Sequence, residues 1–199
     1  MGASGNSPAS CPSWSAAVDL LDQLVGEFPE VPAYRGDRGL TRLSLGALAL
    51  RQPDPARARR HLLASVDDLE AALTHNPDHP AYFPAAVTAY QRLADALVAR
   101  GEHAGARARA ERLVRAFPER GRGTFLAACF LARCVAAAEE AGPGAGDGTG
   151  AYLGQARALL EGARRRGERG ALERLRSADE FKPLRSRPEF AALLKAPGR

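Results

Sequence analysis

The chain has 199 residues, 45% hydrophobic and 26% charged, an ordinary soluble composition and enough for one compact domain. Aromatics are sparse at 6% and Ala, Leu, Arg and Gly dominate, which favours helices and argues against a β-sandwich. The net charge of +5 and pI near 9.6 permit attraction to acidic partners, but the arginines alternate with Glu and Asp, so a solvated, salt-bridged surface is expected rather than a nucleic-acid footprint.

The first stretch, "MGASGNSPASCPSW", has no charged or apolar leader region, and Asn6 stands where myristoylation needs Ser or Thr. Residues 1–13 read as a disordered N-terminal segment. The odd set Cys11, Cys129 and Cys134 lacks C-x-x-C spacing, which argues against a disulfide scaffold and against zinc.

From Trp14 the apolar residues Ala17, Val18, Leu20, Leu21, Leu24, Val25 and Phe28 recur at spacings of three and four, the stripe of an amphipathic helix. Pro29 and Pro32 are expected to stop it, because neither has a backbone donor and each biases its predecessor away from helical dihedrals. A second helix is expected to run to about Arg51, and "QPDP" makes the turn. A third spans Ala56 to about Thr74, a fourth Ala85 to Arg100, a fifth Ala104 to Phe117, and a sixth begins near Thr124. His75 and His79 have the spacing of a zinc helix, but Pro77 between them breaks the helix, so no metal site is expected.

The stretch "GPGAGDGTGAYLGQ", whose Gly-rich part is residues 142–150, loosely matches a dinucleotide fingerprint at Gly146, Gly148 and Ala151. The preceding segment is helical in character and no βαβ unit follows, so a flexible Gly-rich loop is expected. The basic run "ARRRGERGALERLR" at 163–176 reads as an exposed helix face. In the tail, Ser186 and Glu189 suit a capping box with Pro188 in the first turn, while Phe181, Leu184, Phe190, Leu193 and Leu194 offer an apolar face for a capping helix.

Sliding the chain against itself by 48 residues places Ala16 on Ala64, Val18 on Val66, Leu21 on Leu69, and Pro29, Pro32, Ala33 and Tyr34 on Pro77, Pro80, Ala81 and Tyr82. The stretch "EFPEVPAY" is therefore expected to be a joint between helices, not a P-x-x-P ligand. Residues 87–120 then carry Tyr90, Leu93, Ala94, Leu97, Gly101, Ala106, Ala110, Leu113 and Pro118 at places that resemble a tetratricopeptide (TPR) repeat. Together with the tail, the chain from about 15 to 195 is similar to the repeat arrays appended to serine/threonine protein kinases of planctomycete-type bacteria. No kinase motif is present.

The resemblance implies an all-α fold, a right-handed α-α superhelix (TPR-like solenoid) of antiparallel helix pairs. Repeats would occupy 14–141, and 151–199 would hold a final helix pair and a capping helix. It also implies a concave groove for a protein or peptide partner, with Leu43, Ala47, Thr88, Gln91 and Asp95 facing it. The expectation is a non-enzymatic, cytoplasmic scaffold without cofactor, metal or membrane segment. It would form the C-terminal part of a kinase-like protein. The alternatives are a free-standing adaptor that dimerises through its exposed first helix and, third, an Arg-rich nucleic-acid binder.

Overall fold

The computed structural model describes residues 12–52, 54–98, 100, 102–116, 121–140 and 149–165. Further along it describes residues 173, 176–177, 179–185, 187–188, 190 and 193. Most of the described residues are helical, and there is no strand among them. They form α1 (Pro12–Glu27), α2 (Pro32–Arg51), α3 (Pro55–His75), α4 (Tyr82–Val98), α5 (His103–Ala116), α6 (Gly121–Glu140) and α7 (Thr149–Arg165). A 3-10 turn (Asp179–Phe181) and the short α8 (Lys182–Arg185) follow. None of these helices is long and apolar enough to cross a membrane.

The prolines act differently from expectation at two joints. Pro32 opens α2 rather than closing α1, because a first-turn residue needs no donor and its fixed φ suits the helix. Phe28 stacks edge-on against Tyr34 across this joint, with ring centroids 6.2 Å apart. Likewise α4 begins at Tyr82, ahead of the expected Ala85, since Pro84 falls within the first turn, where backbone donors have no intrahelical acceptor. Asp54 caps α3 by accepting a hydrogen bond from the Arg57 N–H at 2.9 Å, and Pro55 follows it. α7 starts at Thr149, inside the segment expected to be loop; residues 141–148 lie outside the described set.

The chain divides into two compact units, residues 1–89 and 90–199, and the boundary falls within α4. In the first unit α2 packs along α3. Two glycines of α2 lie against α3: Gly39 faces Leu69 and Gly46 faces Leu62, whereas Gly36 faces the ring of Tyr82 at the start of α4. The Ser65 hydroxyl donates to the Gly39 carbonyl at 2.7 Å. As the α2 number rises from 39 to 46 its partner on α3 falls from 69 to 62, so the two helices are antiparallel. Leu62, Val66 and Leu69 are fully buried in this seam, each contributing about 1.5–3 kcal/mol of hydrophobic stabilisation.

Three helices of this unit are pinned by charge. Asp68 of α3 accepts from Arg38 Nε at 2.9 Å, Arg38 Nη2 at 2.5 Å and Arg42 Nη1 at 2.8 Å. The same two guanidiniums reach Asp22 of α1 at 2.7 and 2.8 Å. The Asp68 side chain is only 6% exposed, whereas that of Asp22 is 44% exposed. The hydrogen bond to Asp68 raises the Arg38 pKa further above its ordinary value, against the opposing effect of burial. These arginines are therefore interior cross-links, not part of the solvated surface expected of them.

His61, half-buried on α3, is pushed below the ordinary imidazole pKa, first by burial and then by Arg57, Arg60 and Arg42, with Asp54 opposing. Its neutral form is thus favoured in the folded chain. On acidification the unfolded chain takes up the proton first, near pH 6.5, so stability is expected to fall as pH drops from there toward the lower folded value. Thermal melts of wild type and His61→Gln should diverge only in that window, with the variant showing the flatter profile; parallel profiles would count against this role.

In the second unit α6 lies between α5 and α7. Ala127, Ala128, Cys129, Phe130, Leu131, Ala132, Cys134 and Val135 are all buried, as apolar residues of a helix packed between two others should be. Burial pushes the Cys134 thiol up to about 11, so it packs as a small apolar group. α7 presents Tyr152, Leu153, Ala156, Leu160 and Ala163 to the core. Of the residues that carry the repeat resemblance, Tyr90, Leu93, Ala94, Leu97, Ala110 and Leu113 are buried; Gly101 and Pro118, and the side chain of Ala106, lie outside the described set. Phe181, Leu184, Phe190 and Leu193 of the tail are buried too. Ser186, Glu189 and Leu194 lie outside the described residues.

Candidate functional site

α5 and α7 are joined at the surface of the second unit. Gln155 Nε2 donates to Glu111 Oε1 at 2.9 Å, and Arg107 Nε, one turn earlier on α5, donates to the same oxygen at 3.0 Å. Those two hydrogen bonds, Gln155 first, hold the Glu111 carboxyl below its ordinary pKa, with Arg115 adding to the effect. Because Glu111 accepts, the Gln155 amide must present its nitrogen there. Its oxygen is consequently turned inward, buried and without a donor.

Beside this link lies a cleft of about 340 Å³. Its walls are Ala110 and Val114 of α5 and Ala158 and Leu159 of α7, and Leu131 of α6 forms the floor. Alanines at 110 and 158 are the reason it exists, since larger side chains there would close the space between α5 and α7. Arg115, exposed, stands at the rim. A smaller hollow of about 270 Å³ adjoins it, bounded by Arg107, Ala108, Glu111 and Tyr152. Burial raises the Tyr152 pKa, so its phenol stays protonated. An apolar floor with a few fixed polar groups can bind a side chain or small apolar group.

The residues expected to line the groove lie elsewhere. Leu43 and Ala47 are four apart on α2, and Thr88, Gln91 and Asp95 follow at spacings of three and four on α4. All five are half-buried. The Thr88 hydroxyl donates to the Pro84 carbonyl of its own helix at 2.9 Å. The α5–α7 cleft escaped sequence reasoning because its lining comes from three helices.

His75 Nδ1 lies 3.1 Å from the Ala71 carbonyl, and His79 stacks on Tyr82 with ring centroids 3.5 Å apart. Among the described residues no cluster of three or more His, Cys, Asp or Glu could hold a metal ion. Of the basic run, Arg164 and Arg165 are exposed at the end of α7, and residues 166–172 lie outside the described set. No family model, curated protein or solved structure matches this chain.

Proposed function

We propose that the chain is a non-catalytic protein-interaction scaffold made of stacked antiparallel helix pairs, a TPR-like array related to those of bacterial serine/threonine kinases. The observation that carries the binding role is the open apolar cleft between α5 and α7, floored by Leu131 and rimmed by polar groups. The stacking is supported by links between alternate helices. Asp22 and Asp68 share two arginines across α1 and α3, and Glu111 meets Gln155 across α5 and α7.

Selection of a displayed random peptide library on the immobilised full chain tests the binding role. Convergent sequences that bind the free chain in solution support it, and a library that never enriches over a blank surface rules it out. The relation to kinase arrays is tested by immunoblot of native extract: a single band at the calculated 21.1 kDa would defeat it.

One observation favours the dimerising adaptor as a second reading. Trp14 and Leu20 on α1, and Phe28 just after it, are 42, 56 and 44% exposed. Three such side chains fall well short of the ~800 Å² per partner typical of a stable interface, so any dimer through α1 alone would be weak. Light scattering that stays monomeric at high concentration removes this reading.

A further inference from the structure

The rim of the α5–α7 cleft is not electrically neutral. Glu111 is already matched, by the Arg107 guanidinium and the Gln155 amide. Arg115, one turn further along α5, is exposed and acts on Glu111 through space without a salt bridge, so two arginines face one glutamate here. Among the described residues the net charge at the mouth is therefore positive, above a floor made of Leu131 and the methyl groups of Ala110 and Ala158. At about 340 Å³ the cleft sits near the lower end of ligand pockets, which suits one bulky side chain and not the whole face of a helix.

We infer, resting on the protein-binding reading above, that the cleft takes a short acidic amphipathic segment of a partner protein. One bulky apolar side chain sits over Leu131, and a neighbouring Asp or Glu pairs with Arg115. A peptide suits the site better than an acyl chain. Ala158 at the wall is exposed, so the cleft does not enclose a long alkyl chain, and a side chain fixed on a backbone can carry its acidic neighbour to Arg115. Charge complementarity at such a rim sets partner preference more than raw affinity.

The test uses the full chain and fluorescein-labelled Gly/Ser decapeptides with a central Leu-Phe pair flanked by two aspartates, two serines or two lysines. Anisotropy titrations should rank them in that order, with about a tenfold gap between the first and last. Arg115→Glu should reverse the ranking. Ala158→Phe, at an exposed position, should fill the cleft and abolish binding while circular dichroism stays unchanged. A preference for the serine or lysine peptide overturns the inference, as does displacement of the aspartate peptide by decanoate. Binding insensitive to Ala158→Phe also overturns it, yet leaves the scaffold reading standing, because the peptide then sits elsewhere on the chain. If none of the three peptides binds, this inference falls, and the library selection decides the scaffold reading separately.

Discussion

Asp68→Ala is expected to destabilise the first unit by about 3–5 kcal/mol, the scale of removing one partner from a buried ion pair. The carboxylate is 6% exposed and is the shared acceptor of two guanidiniums. Removing it leaves Arg38 and Arg42, themselves mostly buried, with only Asp22 as counter-charge. Asp22→Ala should cost no more than about 1 kcal/mol, because that carboxylate is 44% exposed and water can replace it. The asymmetry is the sharper part of the prediction, since both acids make bonds of similar length to the same arginines. Urea unfolding of the two variants measures it. Equal losses, or an Asp68→Ala loss under about 1 kcal/mol, would mean that the interior solvates the arginines without Asp68. A triple variant with Leu at 68 and Met at 38 and 42 should recover most of the stability, because apolar groups of like volume can replace a buried charge cluster.

How far the sequence revealed this molecule depends on the range of the interaction concerned. Helix positions were legible because their causes are local. The stripe from Ala17 to Phe28, the Pro29 and Pro77 joints and the Asp54–Pro55 start each act within a turn or two. The 48-residue offset also has a counterpart, since α1 ends at Glu27 and α3 at His75. The Arg38–Asp68 link spans 30 positions, beyond the reach of local spacing. One signal was present: Asp68 falls among Ser65, Leu69 and Ala72, on the buried side of α3, where a carboxylate needs a partner. The cleft left no such trace. Ala110, Leu131 and Ala158 are unremarkable in their own helices, and only the packing of α5 and α7 across α6 turns their small size into an opening.

The glycines of α2 were the other feature hidden from sequence, and they yield the second large effect. Gly39→Ala is expected to destabilise the first unit by about 1–3 kcal/mol, the cost of overpacking a close-packed seam, even though alanine is the better helix former by about 1 kcal/mol. A Cβ at 39 would lie 2.7 Å from Leu69 Cγ and 3.2 Å from Asp68 Cβ. Neither atom is the loose end of a side chain, so α3 itself must move. That movement stretches the Ser65–Gly39 hydrogen bond and the ion pairs of Asp68, which lie on the same seam. Gly154→Ala in α7 is the natural contrast, since nothing lies within 4 Å of its Cβ position; there the propensity gain of up to ~1 kcal/mol should appear as added stability. The opposite signs separate close approach from helix propensity. A double variant supplies the mechanism: Leu69→Ala alone should cost about 2–5 kcal/mol, but with Gly39→Ala the losses should fall short of their sum by about 1 kcal/mol or more, because one new methyl enters the space the other vacates. Strict additivity would place the strain of Gly39→Ala somewhere other than the α2–α3 seam.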